Sequence, residues 1–303
     1  MIMKKVLITG GSGLVGTELS ALLKQKGYEV AHLTRSKKQG YPYPQFEWDI
    51  KKQTMEEEAI RFADIVIHLA GAGVADEKWT DNRKKIIIDS RTESAALLHK
   101  TIAKIPEHAP QQYISASAIG YYGMDTGDKL VDENSDPGSD FLAEVTKKWE
   151  ASADQFQSLQ IPTAKIRVGI VLTDQGGALP QLAQPIKLFV GAPLGSGKQW
   201  MSWIHIEDLS RLFLHVLEKK LTGVYNGVGV SPATNKEVTK AVAKALNKPL
   251  ILPNVPPFAM KLILGEMAQM VLGGNKVSAE KTLNSGFKFK YEDLDEALKD
   301  IYR

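Results

Sequence analysis

The segment Thr9-Gly10-Gly11-Ser12-Gly13-Leu14-Val15-Gly16 constrains this chain more than any other. It follows a short apolar run, Val6-Leu7-Ile8. Beyond it Leu14, Val15, Leu19, Leu22 and Leu23 recur at helical spacing up to Gly27, a C-cap residue by position. A strand that passes through a glycine turn into a helix has a specific use. Gly10 allows the tight turn, Gly13 lets backbone approach a pyrophosphate, and Gly16 lets the helix pack close to the strand. The free N–H groups and dipole at the helix start favour negative charge. The loop from Thr9 to Gly16 is therefore expected to cradle the phosphates of a dinucleotide. Gly11 is a further glycine outside that set.

The rest of the first half keeps the same alternation. Tyr28 to Leu33 reads as a second strand, and Ala59 to Ala63 closes a helix. Asp64 to Ala70 is a near-continuous apolar strand of the kind that suits a parallel sheet covered on both faces. Lys84 to Lys104 is a long helix, Gln112 to Ala116 a strand, Phe141 to Leu159 a helix, and Thr163 to Leu172 a strand. Strands alternating with helices predict an α/β fold with a doubly wound parallel sheet. After about Thr173 the texture changes, with GGALPQL, GAPLGSGKQW and the proline-rich LPNVPPF. The expected organisation is a dinucleotide-binding Rossmann domain over residues 1–172, to which 204–228 returns. Residues 173–303 form a substrate-side region, with a C-terminal domain at about 250–300.

The nucleotide is read from the end of the second strand. NAD-binding units place a carboxylate there for the ribose 2′-OH. This chain has Thr34-Arg35-Ser36-Lys37-Lys38, and Glu29 comes too early. Arg35 can grip a 2′-phosphate through paired hydrogen bonds and Ser36 can add another, which favours NADP over NAD; a solvated basic loop is the plainer reading. Asp49, after Phe46-Glu47-Trp48, either bonds the adenine amino group or closes a turn.

Composition excludes several classes. The 303 residues contain no cysteine, so disulfides, thiolate zinc sites, iron–sulfur clusters and a cysteine nucleophile are out. The histidines at 32, 68, 99, 108, 205 and 215 show no metal-ligand spacing, and no metal is expected. A net charge of +3 with scattered basic residues gives no support for nucleic acid. Phe258 to Leu272 is the most apolar stretch, but it is short and interrupted by Lys261, Glu266 and Gln269. Neither a secretory signal nor a membrane partner is expected. Cytoplasmic placement and a small-molecule substrate follow as expectations.

These motifs together resemble the extended or atypical branch of the short-chain dehydrogenase/reductase superfamily. The resemblance rests on TGGSGLVG at 9–16, HLAGAGV at 68–74, SASAIGYYG at 115–123 and WIHIEDL at 203–209. It narrows to bacterial "epimerase family" (sugar-nucleotide-epimerase-like) proteins through DFLAEVTKKWE, GIVLTDQGGALPQL, PLGSGKQWMSWIHIEDL and a tail from Pro256 to Leu298. The resemblance implies a small C-terminal domain and a monomer or homodimer. It also implies that Leu69, Ala70, Gly71, Arg91 and Ser115 border the cofactor. Arg91 falls where typical members use a helix Asn; it brings positive charge to the cofactor or an anionic substrate, or is a surface arginine.

Typical members carry a Tyr and, four residues later, a Lys on one helix face, with a Ser on a preceding strand. The Tyr is the general acid/base and the Ser orients the substrate oxygen. Anchored on Glu150, the matching positions here are Leu142 and Thr146; shifted by one they are Phe141 and Val145. Lys147 and Lys148 follow Ala143 and Glu144 at that spacing, so the standard dyad is absent. Ser117 matches the superfamily's active-site Ser, with Ser115 as fallback. Tyr121 and Tyr122 can supply a noncanonical acid from the same loop, or pack as aromatics. Arg167, near the end of a strand, is a candidate binder, and Trp203 and His205 are candidates to line the substrate cleft. Asp208 is expected to cap a helix over Leu209 to Lys219. Two functions remain: an NADP-dependent oxidoreductase or epimerase-like enzyme acting on a small polar, sugar-nucleotide-like substrate, or an NADP-binding sensor or structural protein without turnover.

Overall fold

The computed structural model describes residues 4–303. Its centre is an eight-stranded sheet in the order Gly223–Gly227, Thr163–Val168, Gln112–Ala118, Ile65–His68, Lys5–Thr9, Glu29–Thr34, Gln45–Asp49, Thr54–Met55. All neighbours run parallel except the last pair. The strand order reverses at Lys5–Thr9 and Ile65–His68, and a crevice opens at the carboxyl ends of such strands.

The apolar run Val6-Leu7-Ile8 explains the two covering layers. All three side chains are fully buried, but successive ones face opposite ways. Val6 and Ile8 pack with Leu19 and Leu23 of helix Leu14–Gln25 and with Leu209, Leu212 and Phe213 of helix Ile206–Glu218. Leu7 faces Leu33, Val66, Leu98 and Ile102, the last two on helix Asp81–Lys104. That helix starts three residues before the sequence suggested because the Thr80 side chain accepts from the Arg83 N–H. Phe141–Asp154 packs beside it, capped by Asp140. The last turn expected to Leu159 is a 3₁₀ helix, Gln155–Leu159, closed by Gln160 in the left-handed region.

The strand expected over Thr163 to Leu172 is two strands. Thr163–Val168 stays in the central sheet, while Ile170–Leu172 pairs in parallel with Trp203–His205. Gly169 makes the crossing. Its N–H reaches the Gly227 carbonyl, and a Cβ there would overlap the Ser202 carbonyl oxygen. From this point the chain builds a second core of Leu179, Ile186, Trp203, Val238, Val242 and Leu298. It then returns through Ile206–Glu218 and Gly223–Gly227 to the central sheet.

Helix Ile206–Glu218 begins earlier than expected, with His205 as its N-cap: Nδ1 accepts from the Glu207 N–H at 3.2 Å. Asp208 does not cap it. Its carboxylate is fully buried and accepts from the backbone N–H groups of Lys290 and Tyr291 at 2.8 and 2.9 Å and from Arg211 at 2.6 Å. The apolar stretch near 258–272 breaks into helix Pro257–Leu264, a 3₁₀ turn Gly265–Ala268 and helix Gln269–Leu272. Among the described residues no helix is long and apolar enough to cross a membrane.

Candidate cofactor and active site

The glycine loop sits at the strand-order reversal. Gly10 has φ +69, and a Cβ on it would stand 3.0 Å from the backbone of Leu69 and Ala70. A side chain on Gly16 would overlap the Gly10 carbonyl oxygen. Ser12 and Gly13 are exposed, and Leu14 and Val15 form the open first turn of the helix, whose early N–H groups have no carbonyl four residues back. No acidic side chain lies in that turn. A phosphate diester fits this arrangement: backbone donors, a positive dipole end and no opposing carboxylate.

Thr9 supports the loop from behind. It is fully buried, and its Oγ1 accepts from the N–H groups of Leu69 and Ala70 at 3.2 and 3.1 Å. That hydroxyl is 2.7 Å from Nδ1 of His68, whose Nε2 lies 3.1 Å from Ser94 Oγ. Burial holds the His68 imidazole neutral, with its pKa lowered to about 4. The effect is to fix Leu69-Ala70-Gly71, which are at least partly exposed, against the crevice.

Arg91 lies beneath that segment. It is buried, and its Nη1 donates to the carbonyls of Ala72 at 3.0 Å and Ile87 at 2.8 Å. Its guanidinium stands 4.7 Å from the Trp149 ring centre, and its Nε has no partner. Among the described residues no carboxylate pairs with it. Desolvation, then the charge of Arg83, lowers its pKa to about 10. A surface arginine would show none of these features. At the far side of the loop Arg35 is exposed, with no ion pair or side-chain hydrogen bond among the described residues. Ser36 is exposed beside it, and its backbone is tied to Thr34 Oγ1. Asp49 closes a turn: Oδ1 accepts from the Lys52 N–H at 3.0 Å, and this bond, then Lys52's side chain, holds the carboxyl below its usual range.

The side chains expected to carry chemistry form one buried network. Ser117 is 2% exposed and donates to Glu150 Oε1 at 2.7 Å. Glu150 also accepts two bonds from Arg167, Nε at 2.7 Å and Nη2 at 3.0 Å. Arg167 donates through Nη1 to the Tyr122 hydroxyl, which donates to Asn226 Oδ1 at 2.7 Å. Burial pushes the Tyr122 phenol up to about 12. Arg167 is therefore held by Glu150 instead of facing a ligand, and Tyr122 is a structural donor. Ser115 is buried in the same strand and donates to the Ala116 carbonyl. Tyr121 differs. It is half-buried, the Arg167 guanidinium lies 3.4 Å from its ring centre, and its hydroxyl makes no bond among the described residues. Glu150 served in the sequence only as a register marker. Its place in a helix whose neighbouring Thr146, Trp149 and Ala153 are buried was the available signal.

The face where a Tyr–Lys pair would stand is filled otherwise. Leu142 packs in a cluster with Trp79, Met124, Phe141 and Met267, and the Thr146 hydroxyl donates to the Leu142 carbonyl at 2.8 Å. Trp203 and His205 are both buried and engaged with neighbouring protein groups. Trp203 is 1% exposed in the second core, with Nε1 donating to the Ser231 carbonyl, and His205 caps a helix and packs on Tyr291 at 4.0 Å. Among the described residues no group of acids and histidines could hold a metal.

A glycine cradle at the switch point of a doubly wound sheet, opposed by a basic loop, defines a nucleotide-binding α/β protein, and comparison with known families agrees. The chain belongs to the NAD dependent epimerase/dehydratase family, whose model matches residues 6–145; residues 255–301 match a domain of unknown function (DUF1731). Within that family it is 37% identical to the Arabidopsis thaliana "Epimerase family protein SDR39U1 homolog, chloroplastic", over 98% of this chain and 86% of that one. It is 34% identical to the Mus musculus "Epimerase family protein SDR39U1", over 98% and 99%. The crystal structure of human epimerase family protein SDR39U1 (isoform 2) with NADPH superposes with a TM-score of 0.86 at 32% identity, covering 98% of this chain and 99% of that one. Thermus thermophilus UDP-glucose 4-epimerase in complex with NAD shares the fold, with a TM-score of 0.74 at 20% identity.

Proposed function

We propose that this chain binds NADPH and works as an oxidoreductase or epimerase-like enzyme on a small polar, sugar-nucleotide-like substrate. The observation that carries the cofactor reading is Arg35: an exposed, unpaired guanidinium beyond the second strand, beside an acid-free phosphate cradle. A strand end carrying Arg in place of a carboxylate suits a 2′-phosphate and lacks an acceptor for a ribose diol. The human relative solved with NADPH supports the same choice.

In this reading the N–H groups of Ser12, Leu14 and Val15 take the diphosphate. Arg35 and Ser36 take the 2′-phosphate. Arg91 supplies positive charge behind Leu69-Ala70-Gly71. NADPH supplies a hydride donor at C4 of its nicotinamide. Tyr121 carries the proton, because the hydroxyls of Ser117 and Tyr122 are both engaged internally. Ser117 then acts at one remove: through Glu150 it helps fix Arg167 under the Tyr121 ring.

Quenching of tryptophan fluorescence by NADPH and by NADH tests the cofactor. NADPH should bind more tightly, and Arg35→Ala should weaken NADPH by roughly 10- to 100-fold, the scale of charge-assisted hydrogen bonds, while sparing NADH. Equal affinity for the two nucleotides would sink the reading. A second reading, NADPH binding without turnover, is favoured by one observation: Leu142 and Thr146 occupy the helix face with no proton-transfer group. Stereospecifically deuterated NADPH, incubated with a pool of cell metabolites, separates the two. Label in a product supports the enzyme, and none in any metabolite supports the silent binder.

A further inference from the structure

Between the glycine loop and the basic loop lies a buried imidazole that the reading above leaves unused. His32 stands on the second strand, 2% exposed. Its ring lies flat against Gly11, close enough that a Cβ there would come within 2.5 Å of three ring atoms. Its Nε2 is 2.8 Å from Ser20 Oγ, on helix Leu14–Gln25. Its Nδ1 is 2.9 Å from the Tyr41 hydroxyl, and Tyr43 stacks on the ring at 4.7 Å.

The direction of each bond follows from counting protons. Ser20 has one hydroxyl hydrogen and donates it to the Gly16 carbonyl at 2.6 Å. Ser20 Oγ must therefore accept from His32 Nε2–H. That leaves Nδ1 as the acceptor, so Tyr41 donates. The chain of donors runs from Tyr41 to His32 to Ser20 to Gly16, the last glycine of the phosphate turn. The loop that begins with Arg35 is also tied at Ser36 to Thr34 Oγ1, at Lys37 to Glu56, and at Lys38, whose N–H donates to Gln45 Oε1 at 3.0 Å and whose carbonyl accepts from Gln45 Nε2 at 2.8 Å; at its far end the Pro44 carbonyl accepts from the His32 N–H at 2.9 Å.

We infer that Tyr41, His32 and Ser20 are positioning residues that set preference for the 2′-phosphate by holding the Arg35 loop in register with the glycine turn. The inference rests on the NADPH reading and extends it to residues that touch no part of the nucleotide. Gly11 is explained by the same contact: the ring that joins the two loops occupies the space a side chain would need.

The test uses the full chain and Tyr41→Phe, which keeps the half-buried ring and removes only the donor. Dissociation constants are measured for NADPH, NADH and adenosine 2′,5′-bisphosphate, together with the melting temperature. NADPH and the bisphosphate should weaken by roughly three- to tenfold, the scale of one neutral hydrogen bond, with NADH unchanged. In Arg35→Ala, adding Tyr41→Phe should weaken NADPH no further, because the tyrosine acts through the arginine. Ser20→Ala should repeat the pattern from the other end. Equal losses for NADPH and NADH, an unaltered ratio, or additive effects with Arg35→Ala would each overturn the inference. The parent NADPH reading fails separately, when the unaltered chain does not prefer NADPH.

Discussion

At the residue scale the unusual object is the ion pair of Glu150 and Arg167. Both are buried, at 6% and 2% exposure, and they share two hydrogen bonds, with Ser117 donating to Glu150 and Tyr122 accepting from Arg167. Such a pair adds little to stability against an apolar replacement, yet breaking it strands a charge. Glu150→Ala leaves the Arg167 guanidinium without a counter-charge and removes Ser117's acceptor. It should destabilise the chain by about 3–5 kcal/mol in urea unfolding. A loss under 1 kcal/mol would mean that water or Glu133, whose backbone carbonyl already lies 3.5 Å from Arg167 Nη1, takes over. The sequence pointed to Ser117, Tyr121, Tyr122 and Arg167 but not to their bonding. Ser117 and Glu150 are 33 positions apart, and only the crossing of a strand by a helix brings them to 2.7 Å.

At the scale of elements, Asp208 shows how a local signal can be read correctly as chemistry and wrongly as placement. An acid at the start of an apolar helix satisfies backbone N–H groups, and Asp208 does so, but those of Lys290 and Tyr291, 82 and 83 residues later. His205 takes the cap instead. Asp208 is thus a clamp between helix Ile206–Glu218 and the segment leading to helix Leu294–Ile301. Asp208→Ala should cost about 2–4 kcal/mol, since it orphans two N–H groups and removes the counter-charge of Arg211, which keeps only its bond to the Lys288 carbonyl. It should also speed proteolysis within residues 286–303, seen by mass spectrometry of a timed digest. Digestion confined to other loops would contradict the clamp. Gly169 is a second case. The pattern of Thr163 to Leu172 reads as one strand, and Gly169 is its one hint of a break; that the chain changes sheets there, with the Ser202 carbonyl where a Cβ would stand, is seen only in the fold.

At the scale of the whole molecule, the central layers bury histidines in neutral form. Desolvation lowers His32 and His68 to about 4, against about 6.5 in an unfolded chain. Below 6.5 the unfolded state binds the extra proton and the native state does not. Stability therefore falls as pH drops from about 6.5 to about 4, and is fully present above that window. For fully buried His68 the contribution is about 3 kcal/mol. Urea midpoints should decline between pH 7 and pH 4.5, and His68→Gln should flatten that decline. A midpoint independent of pH across the window would show that these imidazoles accept protons without unfolding.

The sequence by itself determined the doubly wound sheet and the glycine turn. Both follow from local rules: Val6-Leu7-Ile8 must be covered on two faces, and glycines at 10, 13 and 16 admit close backbone approach. Arg35, an exposed side chain on a short loop, was legible for the same reason. The tertiary structure decided which polar groups remain free. Ser117, Tyr122 and Arg167 satisfy one another, Trp203 enters a second core, and Asp49 closes its own turn, while Tyr121 and Arg35 stay available. A buried polar group must find a partner, and which partner it finds depends on contacts between residues far apart in the chain, which no local pattern encodes.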